Sequence, residues 1–164
     1  MMKQIEIKSI FEEYDSKDEL SAQDKTLVTL AQDSAKNAYA PYSDFKVGAA
    51  VLLENGKIVC GNNQENIAFP SGLCAERVAV FSAAAQFPNV VIKSIAVVCL
   101  SDKININVPL SPCGACRQSM SEYEVRFSKN IRVILAGQTG KVVIAESIKS
   151  LLPLQFYFEG LRKK

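Results

Sequence analysis

Cys74, Cys113 and Cys116 are the residues of this chain best able to do chemistry together. Cys113 and Cys116 lie three apart, a separation that puts both side chains on one face of a helical first turn. The 164-residue chain contains no histidine, so a transition-metal site must be built from sulfur or carboxylate. A Cys-x-x-Cys pair with a third cysteine elsewhere is a good thiolate set for zinc. Three protein ligands leave one coordination position for water. Glu76, two residues after Cys74, stands where it could take that water's proton and return it.

All three cysteines fall at expected helix starts, where free backbone N–H groups favour thiolate over thiol. Three thiolates leave a zinc site with net negative charge, which opposes acidification of a bound water. Arg77, one residue past Glu76, can offset this by donating hydrogen bonds to thiolate sulfur. Each feature has a plainer reading. Arg77 could be a surface arginine, and Glu76 a favourable first-turn carboxylate. Cys-x-x-Cys more often belongs to a closed four-cysteine site, and Cys60 could supply the fourth sulfur. Against that, Cys60 and Cys99 lie within apolar strand-like runs, where free cysteines are usually small core residues. The spacing favours the open, catalytic site.

The elements that must position these groups follow from periodicity and turn signals. Residues 1–20 form an extension with one strand or short helix, weakly alternating through Ile5, Ile7, Ile10 and Phe11 and then acidic. A helix is expected over 21–38, with Leu27, Leu30, Ala31, Ala35 and Ala38 on its apolar face. Ser21 with Asp24 loosely resembles a capping box. Strands over 47–53 and 57–61 flank an Asn55-Gly56 turn of the kind that needs positive φ. After a loop over 62–72 come a helix over 74–85 and a strand over 90–100. That strand is apolar enough to be covered on both faces. Pro112 opens a helix reaching about Tyr123, with Ser111 helping to cap it. Strands over 131–136 and 141–144 and a short helix over 147–151 complete the order. The alternation predicts an α/β fold: three layers, α/β/α, with a mixed sheet of about five strands flanked by helices. Residues 21–164 are expected to be a single catalytic domain behind the 1–20 extension.

Composition narrows the function classes. At 48% hydrophobic and 22% charged, the chain reads as an ordinary globule able to bury a core. A net charge of +2, with no arginine- and aromatic-rich stripe, argues against a nucleic-acid partner. No apolar stretch approaches the ~20 residues that span a bilayer. The start lacks a basic-then-apolar signal pattern. Five cysteines without such a signal argue against a disulfide framework. The expected setting is the cytoplasm, with reduced thiols and no membrane partner.

Cys74-Ala75-Glu76-Arg77 together with Ser111-Pro112-Cys113-Gly114-Ala115-Cys116-Arg117-Gln118 closely resembles the small, homotetrameric cytidine deaminases. Pro41-Tyr42-Ser43-Asp44-Phe45-Lys46-Val47-Gly48-Ala49-Ala50 resembles that family's first block. Asn63-Gln64-Glu65-Asn66 resembles its nucleoside-binding loop, and Leu151-Leu152-Pro153 with Phe156 its C-terminal block. These stretches occur in family order from about Tyr39 to Phe156, and the combination is specific where any one block is not.

The resemblance implies that Cys74, Cys113 and Cys116 bind one Zn²⁺ per subunit and that Glu76 shuttles protons. It implies that Asn63 and Glu65 hydrogen-bond the ribose 3′-hydroxyl, and that Phe45 packs on the pyrimidine. Backbone groups of Ala75 and Ser111 would read the base, and Phe156 would come from a neighbouring subunit of a homotetramer with shared sites. Without the resemblance, Phe45 and Phe156 would read as plain core aromatics. The implied reaction is hydrolytic deamination of the small-molecule nucleosides cytidine and 2′-deoxycytidine to uridine and 2′-deoxyuridine, with ammonia released, as in pyrimidine salvage. Phe69 stands where the family has tyrosine, and Glu159 where a glycine- and proline-containing stretch is usual. Rival readings are a deaminase for another aminated pyrimidine, such as a blasticidin-type antibiotic or a base within RNA, and a zinc-stapled binding module without catalysis.

Overall fold

Apolar runs that alternate nowhere demand cover on both sides of the sheet. The computed structural model, which describes residues 1–161, supplies it. Among the described residues six strands form one mixed sheet: β1 (Phe11–Tyr14), β2 (Phe45–Leu53), β3 (Ile58–Asn62), β4 (Ile92–Ser101), β5 (Arg132–Ala136) and β6 (Val142–Ala145). Their order is β1-β6-β5-β4-β2-β3, with β4 and β5 parallel and the other pairs antiparallel. Helix α1 (Ala22–Lys36) covers one face; α2 (Ala75–Gln86), α3 (Gly114–Phe127) and α4 (Ile148–Leu151) cover the other.

Each central strand feeds both cores. Ala50 and Leu52 of β2, Ala96 and Val98 of β4, and Ile134 of β5 pack with Leu27, Val28 and Ala31 of α1. Their neighbours Ala49, Val51, Ile95, Val97, Val133 and Leu135 pack with Ala79, Val80, Cys116, Met120 and Ile148. This is the expected three-layer α/β/α architecture, with six strands in place of about five. The additional strand is β1, which pairs with β6 at the sheet edge, Phe11 opposite Ala145 and Tyr14 opposite Val142. Three of its four residues are exposed, so it carries little hydrophobic pattern. Polar contacts tie it down instead: Glu13 pairs with Lys141, and Arg132 reaches Glu12 at 3.9 Å, Glu146 at 3.0 Å and Asp24 at 2.7 Å.

The Arg132 contact explains the loose capping box. Ser21 Oγ accepts from the Asp24 N–H at 3.2 Å and donates to Asp24 Oδ2 at 2.9 Å. The other carboxylate oxygen of Asp24 is taken by Arg132. Two glycines position the hairpin that underlies the site. Gly56 adopts φ +80° in the β2–β3 turn, as the Asn-Gly pair required. A Cβ on Gly61 would lie 2.5 Å from the Ala79 amide nitrogen, so only glycine lets α2 sit this close to β3.

Helix α3 runs on to Phe127, past the expected end near Tyr123, and closes with Ser128 in the left-handed region at φ 52°. Its extension carries the buried Glu124, whose carboxylate accepts from Ile131 N at 2.7 Å, Ile148 N at 2.8 Å and Ser147 Oγ at 3.0 Å. One charged side chain thereby satisfies the starts of both β5 and α4.

Candidate active site

The starts of α2 and α3 meet. Cys74 is the N-cap of α2, Cys113 is the N-cap of α3, and Cys116 lies in the first turn of α3. Their three sulfurs lie within 4.8 Å of one another, and Cys74 Sγ is 4.0 Å from Cys113 Sγ. All five cysteines are free thiols. Neither N-cap cysteine makes a side-chain capping hydrogen bond, and Ser111, expected to help cap α3, does not do so. Ser111 instead lines the adjoining cavity.

The electrostatics of the sulfur group are lopsided. Hydrogen bonding from Cys116, aided by the Arg77 guanidinium, pulls the Cys74 thiol down to about 5. The same contact with Cys74, together with burial, pushes Cys116 up. Arg77 Nη2 stands 3.9 Å from Cys74 Sγ, the donation to thiolate sulfur foreseen for this residue. Its Nε is buried without a partner. Glu76 is 4% exposed, and burial raises its pKa above the ordinary carboxyl range.

The donor set fits zinc. Sulfurs held at about 2.3 Å from one ion at tetrahedral angles would be about 3.8 Å apart, close to the spacing here. Among the described residues the group holds no fourth donor. Cys60 is not part of it. That cysteine is a core residue in the sequence reading, but it is exposed: it lies on the α1 face of the edge strand β3, opposite Ala50, while its neighbour Val59 is buried on the other face. Cys99 is buried as expected, and burial pushes its thiol up to about 12.

A cavity of about 340 Å³ opens beside the sulfurs, with Cys74, Cys113 and Glu76 at one end and Ser43, Phe45, Asn63 and Glu65 at the other. Val47, Val97, Cys99, Leu110 and Ser111 complete its wall. A second cavity, of about 500 Å³, shares Asn63, Glu65 and Cys74 and is bounded by Tyr42, Phe69 and Arg77. Among the described residues, no lysine lines either cavity, and Arg77 is the one cation. Phe69 packs edge-on against Tyr42, ring centres 5.7 Å apart.

The polar side chains at the far end are already engaged. Asn63 Oδ1 accepts from Val47 N at 2.7 Å, and its Nδ2 donates to Phe45 O at 2.9 Å. Glu65 accepts from Tyr42 N at 2.9 Å, Ser43 N at 3.3 Å and the Ser43 hydroxyl. These bonds, the Ser43 hydroxyl first, hold the Glu65 carboxyl below its usual range.

Two further residues singled out from the sequence sit differently. Ala75 is fully buried at the start of α2, so it can offer a ligand only backbone. Phe156 lies outside both linings with its side chain 76% exposed, and its backbone N–H and C=O are held by Gln118. Sequence reasoning missed Leu110 and Val97 as lining residues. Their types carry no chemical signal, and only the approach of β4 to the loop before Cys113 brings them in.

Residues 21–129 match the family model described as the cytidine and deoxycytidylate deaminase zinc-binding region. A cytidine deaminase of Halalkalibacterium halodurans is 36% identical over 135 residues, covering 82% of this chain and 95% of that protein. One from Sporosarcina psychrophila is 37% identical, covering 82% and 92%. The crystal structure of a cytidine deaminase from Burkholderia pseudomallei superposes with a TM-score of 0.71 at 37% identity, over 84% of this chain and all of that one. That from Mycobacterium tuberculosis gives 0.65 at 28% identity, with 84% of this chain covered. No helix among the described residues is long and apolar enough to cross a membrane. From the match to its zinc-binding region and the agreement of these relatives in sequence and fold, the chain belongs to the cytidine and deoxycytidylate deaminase family.

Proposed function

We propose that this protein is a zinc-dependent cytidine deaminase, converting cytidine and 2′-deoxycytidine to uridine and 2′-deoxyuridine with release of ammonia. The observation that carries this reading is the meeting of three sulfurs beside a cavity that Cys74, Cys113 and the buried carboxyl of Glu76 line together with Phe45, Asn63 and Glu65. Cys74, Cys113 and Cys116 would hold one zinc ion per chain, which when bound supplies Lewis acidity that brings a water's pKa near neutrality.

The chain's own residues do the rest. Glu76, whose burial makes it hold a proton more readily than a free carboxyl, takes a proton from water and delivers it to N3 of the pyrimidine. Once the water oxygen has bonded to C4, Glu76 takes the proton of that new hydroxyl and passes it to the amine as the C4–N4 bond breaks and the C4 carbonyl forms, so that one water is consumed and one ammonia leaves. Arg77 withdraws charge from the Cys74 sulfur. Phe45 packs on the ring, the backbone of Ala75 and Ser111 reads the base edge, and Asn63 and Glu65 hold the sugar. A free nucleoside suits the lining better than a nucleotide. Among the described residues, a phosphate placed there would meet two carboxyl groups, Glu65 and Glu76, and no lysine.

Residues 21–164 form the catalytic domain of this proposal and residues 1–20 an accessory segment. The exposed Phe156 suits a residue completing a neighbour's pocket in a homotetramer, and salvage in the cytoplasm suits the reaction. The test is ammonia release from cytidine, 2′-deoxycytidine and deoxycytidylate, with zinc content measured before and after chelation. Rapid release from both nucleosides that falls with the metal and returns on zinc addition supports the reading. Full turnover by metal-free protein, or no turnover of either nucleoside, overturns it.

A further inference from the structure

Ser43 joins the two residues at the sugar end of the cavity into one unit. Its hydroxyl donates to Glu65 Oε1 and accepts from the Phe45 N–H at 3.1 Å. Its own N–H donates to Glu65 Oε2 at 3.3 Å. Phe45 is then held from the other side, because its C=O accepts from Asn63. The turn that makes this possible is strained: Asp44, between Ser43 and Phe45, has φ 57°, a conformation that non-glycine residues adopt at a cost. Asp44 is further tethered by Lys103 at 2.7 Å, and the next cation along, Lys46, by Asp102 at 2.7 Å. A strained turn with a hydrogen-bonded hydroxyl at its centre is a device for fixing its neighbours' orientation.

We propose that Ser43 is a positioning residue for nucleoside binding, setting the Glu65 carboxylate and the Phe45 ring in register so that sugar and base are recognised together. The proposal rests on the functional reading above, in which Glu65 meets the ribose 3′-hydroxyl and Phe45 the pyrimidine. A charge-assisted bond from Ser43 leaves Glu65 with one set of directions for its remaining lone pairs. Removing the hydroxyl leaves Glu65 Oε1 without its anchor while the Tyr42 and Ser43 N–H groups still hold Oε2, so the carboxylate can pivot about that oxygen, and the loss falls on binding rather than on proton transfer, which Glu76 performs.

The experiment compares Ser43→Ala and Ser43→Thr with the unaltered protein on cytidine and on 3′-deoxycytidine, with zinc content and thermal midpoint recorded for each. Ser43→Ala should raise KM for cytidine about tenfold while kcat changes by less than about twofold. The rise should shrink to about threefold or less on 3′-deoxycytidine, which lacks the hydroxyl that Glu65 would grip. Ser43→Thr, retaining the hydroxyl at an exposed position, should restore most of the cytidine KM. Equal KM rises on both substrates, with a lowered thermal midpoint, would mean that the hydroxyl only stabilises the loop, and the proposal fails. Unchanged KM values would sink it as well. An unaltered protein that does not deaminate cytidine would instead remove the functional reading, and this proposal with it.

Discussion

The two ends of the catalytic cavity are built on opposite principles. At the sulfur end, three cysteines and a glutamate crowd together with few bonds to the surrounding protein. A thiol pulled down to about 5 sits beside one pushed up, and an arginine nitrogen is buried without a partner. At the far side, the side chains of Asn63 and Glu65 are each tied by two bonds to the backbone of residues 42–47. The first arrangement concentrates donor atoms with few partners of their own. The second is held by backbone bonds and leaves a ligand the lone pairs and the amide hydrogen not yet used. Chemistry needs the concentrated, frustrated charge; recognition needs fixed directions.

If that contrast is right, substitutions at the two ends fail in different ways. The largest effect belongs to Glu76→Gln, which should lower kcat by about 10²–10⁴-fold while zinc content and fold are retained. Ammonia release alongside metal analysis checks this, and near-normal turnover would remove Glu76 from the proton path. Next comes Arg77→Gln. It should weaken zinc retention or turnover by about 10–100-fold, the usual cost of losing a group that tunes a metal ligand. Competition with a chromophoric chelator reads the first and steady-state rates the second; no change in either leaves the arginine a bystander.

At the sugar end, Asn63→Ala strands the Val47 N–H and the Phe45 C=O. It should cost about 1–3 kcal/mol in denaturant unfolding and raise KM, with zinc content untouched. Loss of zinc in that variant would show that the two ends are not separable. The smallest effect is expected of Cys60→Ala. An exposed edge-strand thiol outside the sulfur group should change neither zinc content nor activity, and stability by no more than about 0.5 kcal/mol. Metal loss there would instead revive a closed four-sulfur site.

How much of this could be read in advance differed with the kind of signal. The start of α3 was legible because Pro112 and the Cys-x-x-Cys spacing mark a helical first turn. The end of α3 was not, because Glu124 reads as a surface charge until Ile131, Ser147 and Ile148 are seen to converge on it. β2 and β4 announced themselves by apolar runs. β1 showed only weak alternation, since three of its four residues are exposed and its backbone partners in β6 lie more than a hundred positions away. Cys60 was placed in the core from its apolar neighbours, but burial in a strand depends on which face a residue points to and whether that face is covered there, and Val59 is buried where Cys60 is not. Ser43 stood out only as part of a family-like block, with no role of its own, because its partners Glu65 and Phe45 are fixed only by folding.

What the sequence by itself determined is local chemistry: sulfur ligands without histidine, a carboxyl two residues from one of them, an arginine beside it, and periodicities that set helices on a mixed sheet. These follow from residue type and short spacing, which act over a single turn or strand. Only the tertiary structure decided which of five cysteines meet, that Arg77 faces Cys74, and that residues 42–47 are strapped across Asn63 and Glu65. Those outcomes depend on distances between segments far apart in the chain, and such distances are settled by the packing of both cores together.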